Sequence, residues 1–168
     1  MLVSLTLHQF ALIAQHELSV AEGFNVITGE TGAGKSLLLD ALSLCVGARA
    51  DSAMVRHGAD NAEIYAQFDV HNNSVIAEWF AKNDRALDEP EVLIRRQLSN
   101  TGRSKAWLNG SPASLAELKS LGALLVNIHR QHAQQALLKP QFVVNWLDEM
   151  AQITPLTRQT ASSYQQYQ

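Results

Sequence analysis

The sequence predicts an α/β fold, a mixed β-sheet with flanking helices, on three observations. Alternating or β-rich apolar runs recur from Leu2 to Leu108. A near-continuous stretch of apolar helix formers, Lys35 to Val46, interrupts them. A glycine-rich segment, Gly29 to Gly34, joins a β-rich run to that helix. The 168 residues suffice for one compact domain and are short for two. With 46% hydrophobic and 17% charged residues, a buried core is feasible and a disordered chain is excluded. No apolar run approaches the roughly 18 residues of a membrane span, and Met1 to Phe10 lacks the basic start and long apolar stretch of a secretory signal. The single cysteine, Cys45, cannot form an internal disulfide and fits a reducing, cytoplasmic setting.

Taken in order, Leu2 to Leu7 alternates apolar and polar residues as a strand does, and Ala14 to Val20 does so more weakly. Phe24 to Thr28 is a short β-rich run that stops at Gly29. Gly47 supplies a stop for the Lys35–Val46 helix, whose apolar residues on nearly every side predict burial against a sheet. Glu63 to Val70 reads as a strand and Val75 to Phe80 as a helix. Val92-Leu93-Ile94 opens a further strand, and Ser104 to Leu108 runs into the hairpin dipeptide Asn109-Gly110. Ser114 and Glu117 have capping-box spacing at the start of a short helix, Leu115 to Leu121. Leu124 to Ile128 reads as a buried strand, Pro140 starts a helix, and Thr154-Pro155 starts a polar, glutamine-rich one.

Gly29-Glu30-Thr31-Gly32-Ala33-Gly34-Lys35-Ser36 matches G-x-x-x-x-G-K-[ST] in full, between a β-rich run and a helix. Glycines let the loop curl so that backbone N–H groups converge on an anion, and the helix N-terminus adds partial positive charge. In that chemistry Lys35 reaches the β- and γ-phosphates of a nucleotide and the Ser36 hydroxyl ligates Mg²⁺. A chance match in a glycine-containing turn is the bland alternative, made rare by the joint pattern.

The loop, the preceding Leu7-His8-Gln9-Phe10-Ala11-Leu12-Ile13, and four further stretches together resemble the ATP-binding heads of SMC-like ATPases, and among these the RecN family of bacterial DNA repair. The stretches are Val55-Arg56-His57-Gly58 with Ala62-Glu63-Ile64 and Phe68; Gly102-Arg103-Ser104 with Leu108-Asn109-Gly110; Ile128-His129-Arg130-Gln131-His132; and Leu147-Asp148. The resemblance implies a phosphate-loop head of which residues 1–150 are the N-terminal lobe and 151–168 the start of a coiled-coil arm. It implies ATP and Mg²⁺ as cofactors, a cytoplasmic, nucleoid-associated protein, and DNA as a partner. A C-terminal head lobe and the second head of a homodimer are further implied partners. Gln131 would be the glutamine that completes the metal shell and orients the attacking water, and Arg56 an arginine approaching the nucleotide. The bland alternatives are a polar strand-end cap for Gln131 and an ordinary surface residue for Arg56. His129 and His132 lack a nearby acidic or cysteine partner and make a weak metal set.

In such heads hydrolysis also needs an LSGG-like signature and an acidic pair at the end of a buried strand. No LSGG-like stretch occurs here. Phe142 to Glu149 imitates the acidic strand, but Phe142, Trp146 and Met150 recur at helical spacing after Pro140, so a helix is expected. ATP binding without efficient hydrolysis is therefore expected of this chain alone. The rival from another class is a small self-contained phosphotransferase of nucleotide-kinase type, which would use Asp148 and Glu149. A nucleotide-gated binding module is a third reading. Lys82-Asn83-Asp84 lacks the N-K-x-D order of guanine recognition. Thirteen Lys+Arg against sixteen Asp+Glu give a net charge of -3, so any nucleic-acid surface must be local. Arg95, Arg96, Arg103 and Lys105 lie in Val92 to Ala116, which contains Glu-free and Asp-free sequence throughout. They read either as phosphate-backbone contacts or as a solvated hairpin answering Asp88, Glu89 and Glu91.

Overall fold

Strict alternation of buried and half-exposed residues builds the sheet. The computed structural model describes residues 1–29, 34–71 and 73–128, with single positions from Leu147 to Tyr167. In β3 (Asn61–Asp69), Ala62, Ile64, Ala66 and Phe68 are buried while Glu63, Tyr65 and Gln67 face outward. In β4 (Glu91–Ser99), Val92, Ile94, Arg96 and Leu98 take the inner positions. With β1 (Leu2–Phe10), β2 (Ile13–Ser19), β5 (Ser104–Leu108) and β6 (Ser111–Pro112) they form one sheet of order β2-β1-β3-β4-β5-β6. Each of these described pairings is antiparallel. Asn109 and Gly110 both have positive φ, which is the two-residue turn whose twist suits the β5–β6 hairpin.

In the described part of Met1–Ile128 three α-helices accompany the sheet. The second half of α1 (Lys35–Cys45) buries Ala41, Ser43, Leu44 and Cys45 and packs on β3 and β4. Burial of this helix is thus confined to its C-terminal half, and Leu39 is exposed. α2 (Ser74–Lys82) turns Ile76, Trp79 and Phe80 inward, and the Trp79 indole N–H donates to Ser120 Oγ at 3.0 Å on α3. α3 (Leu115–Leu125) starts on a complete capping box, with Glu117 N–H on Ser114 Oγ and Ser114 N–H on the Glu117 carboxylate at 2.8 Å. The capped helix runs through Leu121 to Leu125, and Leu124 is exposed. The expected buried strand Leu124–Ile128 is therefore not formed, because Leu118, Leu121 and Leu125 continue one helical stripe.

The expected strand Phe24–Thr28 is not formed either. Phe24 is 93% and Val26 66% exposed, and the described hydrogen bonds from Phe24 to Thr28 are those of the Asn25 side chain to Ala21 and Gly23. β-rich composition makes a strand only where a neighbour supplies the ladder, and no described strand lies beside it. Contacts divide the chain into Met1–Ile128 and His129–Gln168. In the second unit the described positions Leu147, Met150, Leu156, Gln159, Thr160, Ser163, Tyr164 and Tyr167 are helical, and each is exposed.

Two predictions follow from this packing. A Cβ placed on Gly122 would sit 2.4 Å from Val46 Cβ just beyond the end of α1. Gly122→Ala is expected to lower stability by about 1–3 kcal/mol in urea unfolding, with partial recovery in Gly122→Ala/Val46→Gly. Glu117 is held down at about 2 by the Ser114 backbone N–H first, then the Ser114 hydroxyl and the Arg85 guanidinium. A depressed carboxyl contributes above its unfolded value and loses that contribution as pH falls through its folded one. The stability gap between wild type and Glu117→Gln should therefore be full above about pH 5 and shrink steadily towards about pH 2. A gap independent of pH in that window would refute the assignment.

Candidate nucleotide-binding site

The two ends of the glycine-rich loop come together. Gly34 is the N-cap of α1 in a left-handed conformation, φ 89°, which a residue with a side chain adopts only under strain. From the first position of α1 the Lys35 ammonium donates to the Gly29 carbonyl, closing the loop's mouth. The first turn of α1 carries no acidic residue, and no side chain caps it. The other helical N-termini are capped from within: the Ser52–Met54 3₁₀ turn by Asp51, α2 by Asn73 and α3 by Ser114. Helix α1 thus directs the N–H groups of its first turn and a cation to one place, next to the half-buried Ser36. These groups are the ones a phosphate chain and its Mg²⁺ require, so the residues present fit a nucleotide. Glu30, Thr31, Gly32 and Ala33 lie outside the described residues, as do Gln131, His129, His132, Asp148 and Glu149.

Arg56 is half-buried, and its backbone N–H donates to the Gln9 carbonyl at 2.9 Å beside the Phe10–Val55 bridge. Among the described residues its side chain makes no hydrogen bond or ion pair, and none is described between it and Gly29 or Lys35. The four basic residues of Val92 to Ala116 separate into three kinds. Arg96 is a core residue: it is fully buried, its Nη2 reaches Ser104 Oγ at 3.3 Å, and Nε and Nη1 have no partner. Burial pulls its pKa down, opposed by Cys45, while burial pushes the Cys45 thiol up to about 12. Arg96 therefore cannot meet a ligand from solvent. The signal that finds it is parity, since Val92, Ile94 and Leu98 place Arg96 on the inner face.

Arg95 faces outward and is already engaged. Its Nη2 donates to Glu63 Oε1 at 2.7 Å, and its guanidinium lies 4.6 Å from the Trp107 ring centroid and 5.6 Å from that of Tyr65. Tyr65 Oη donates to Glu63 Oε2 at 2.5 Å and Gln97 Nε2 to Oε1 at 3.1 Å. Burial raises the Glu63 pKa, but the Tyr65 and Arg95 hydrogen bonds outweigh it and hold the carboxyl below its usual range. Glu63, the hub of this cluster, lies in the Ala62-Glu63-Ile64 stretch, but no role follows from that, and only the cross-strand register brings it to Arg95. Arg103 and Lys105 are exposed, and among the described residues neither side chain has a partner.

Fold and loop together define the class: the N-terminal lobe of a phosphate-loop ATPase head of SMC type. The chain belongs to the RecF/RecN/SMC N-terminal domain family, whose model matches residues 1–129. Within that family it is similar to the DNA repair proteins RecN. It is 44% identical to that of Vibrio cholerae over 99% of this chain and 30% of the relative. To that of Bacillus subtilis it is 34% identical over 99% of this chain and 29% of the relative. The chain thus spans about three-tenths of the curated relatives it matches. A structure from work on ATP-driven dimerization and DNA-stimulated activation of SMC ATPases superposes with a TM-score of 0.63 at 26% identity, over 89% of this chain and 98% of that one. The Pyrococcus furiosus Smc head with an extended coiled coil, bound to the C-terminal domain of ScpA, shares the fold at a TM-score of 0.70 and 23% identity, over 98% of this chain and 46% of that one. This kinship does not favour a self-contained phosphotransferase. No described helix is long and apolar enough to cross a membrane.

The buried, under-partnered Arg96 generates a prediction. Arg96→Met keeps most of the volume and removes an uncompensated buried charge, so it should be neutral or stabilising by about 1–3 kcal/mol. Arg96→Ala opens a cavity and should destabilise by about 2–4 kcal/mol. Paired urea titrations check the order of the two variants; Met falling as far as Ala would show that the charge itself is required.

Proposed function

We propose that this lobe binds ATP with Mg²⁺ and serves a RecN-type protein in recombinational repair of DNA double-strand breaks. The observation that carries the reading is the Lys35 ammonium closing the mouth of Gly29–Ser36 at the uncapped start of α1. The backbone amides of the loop and Lys35 hold the phosphates, and Ser36 with Gln131 holds the metal. Gln131 orients the attacking water, and Arg56 approaches the nucleotide from the loop after α1. Residues 1–150 act as the lobe and 151–168 as the start of the arm. The remaining catalytic groups come from a C-terminal head lobe and from the second head of a homodimer, so ATP-driven engagement of two heads is coupled to holding DNA. Support comes from the RecN relatives and from the structure described with ATP-driven dimerization of SMC ATPases. The exposed apolar run Phe24 to Ile27, leading into the loop, gives the C-terminal lobe a surface to cover.

Calorimetric titration with ATP and Mg²⁺ tests the binding step. Lys35→Ala should weaken ATP about 10- to 100-fold, the loss of one charged hydrogen bond, with an unchanged circular dichroism spectrum. Unaltered affinity in a folded variant would remove the chemical basis of the assignment. Turnover is expected only when the chain is mixed with a C-terminal lobe; substantial turnover alone would overturn the divided-head account.

A further inference from the structure

A cavity lined by hydrogen-bond donors lies on the outer face of the sheet. Where β3 begins and β4 turns into β5, Asn61, Gln97, Ser99, Thr101, Arg103 and Lys105 line a cavity of about 310 Å³. Each of the six side chains can donate a hydrogen bond, two are cations, and the lining contains no carboxylate. Register gathers them: Asn61 pairs with Ser99 and Gln97 with Lys105, so side chains distant in sequence share one outward face. The rim is held in shape, with Ser99 N–H on the Arg103 carbonyl at 2.8 Å and Gly102 N–H on the Ser99 carbonyl at 2.9 Å. Of the acids close by, Glu63 is taken up by Arg95, Tyr65 and Gln97, and Asp60, next to Asn61, makes no ion pair with Arg103 or Lys105 among the described residues.

We propose that this cavity receives a phosphate of a nucleic-acid backbone, with Arg103 and Lys105 as the charged contacts and Asn61, Gln97, Ser99 and Thr101 as the hydrogen-bonding ones. Arg, Lys, Ser, Thr, Asn and Gln are the side chains that contact the phosphodiester chain, and none of them here reads a base. The polymer is favoured over a free anion because both cations are exposed to water, where a single phosphate gains little. A polyanion gains from released counterions at every neutralised phosphate. The proposal rests on the reading above that this lobe serves in holding DNA, and adds which face of the lobe meets it, the face opposite α1.

The test is fluorescence anisotropy of a labelled 30-base-pair duplex against the 168-residue chain from 50 to 200 mM NaCl, without nucleotide. The Arg103→Gln/Lys105→Gln variant should bind about tenfold more weakly at 50 mM, and the slope of log K against log salt should become about 2 units shallower. Arg103→Lys should keep the slope. Wild-type binding with the same slope and affinity in the double variant would overturn this site and leave the DNA reading standing. Absence of any salt-dependent duplex binding by the wild type would overturn both. Should inorganic phosphate bind the wild type but not the double variant, while duplex binding is equal in the two, the nucleic-acid assignment falls. Lys82→Gln, which removes an exposed cation on α2 paired with Glu78, serves as the control and should leave duplex binding unchanged.

Discussion

The seating of α1 on the inner face of the sheet is the constraint from which the site follows. Ala41, Leu44 and Cys45 are buried over β3 and β4, which fixes the axis of the helix and hence the direction of its opposite end. That end carries Gly34, Lys35 and Ser36. Among the described residues no side chain caps that end, so its N–H groups face the place a ligand would take. Gly122 sharpens the constraint, since its missing side chain is what lets α3 approach Val46, immediately after α1, at backbone distance. Packing at one end of an 11-residue helix thereby orients chemistry at the other.

The period of two divides the sheet into faces with different tasks. Inner positions exclude water, and among the described residues the one buried charged side chain, Arg96, sits there with two nitrogens unpartnered. Outer positions carry the His8–Tyr65 edge contact, the Glu63–Arg95 pair and the Tyr65–Arg95–Trp107 stack. Such a face is polar without being weakly ordered, because each long side chain is braced by a neighbour one strand away. Arg103 and Lys105 differ from it in having no such brace among the described residues. An unbraced cation on a rigid sheet costs little to reorganise around an arriving anion, whereas Arg95 would first have to leave two rings and a carboxylate.

The strands were legible because alternation is a local property: β1, β3 and β5 follow the runs Leu2 to Leu7, Glu63 to Val70 and Ser104 to Leu108 closely. The capping box and the Asn109-Gly110 turn were legible for the same reason. Two runs misled. Leu124 to Ile128 has strand composition, but a helix already propagating from Ser114 adds each residue at the cost of one, whereas a strand needs a partner. Phe24 to Thr28 has the composition without the partner. Among site residues, the loop was legible as a motif, yet its decisive feature, an empty N-cap, depends on Gly34 geometry. The sorting of Arg95, Arg96, Arg103 and Lys105 into paired, buried and free needed the register, since charge counting treats the four alike.

The exposed run before the loop bears on how nucleotide binding depends on the rest of a head. Val26 and Ile27 present apolar side chains to water and lead through the exposed Thr28 to Gly29, whose carbonyl Lys35 holds. In the divided-head reading, a strand laid beside this run would satisfy its backbone and bury Phe24 and Val26. The same event would fix the position of Gly29 relative to α1, which the sheet already fixes. Loop closure would then cost less conformational entropy with the second lobe in place than without it. On that reading, lobe docking and ATP binding would be two favourable steps sharing one ordering cost. That sharing is sufficient to make each promote the other, with no contact between the second lobe and the phosphates.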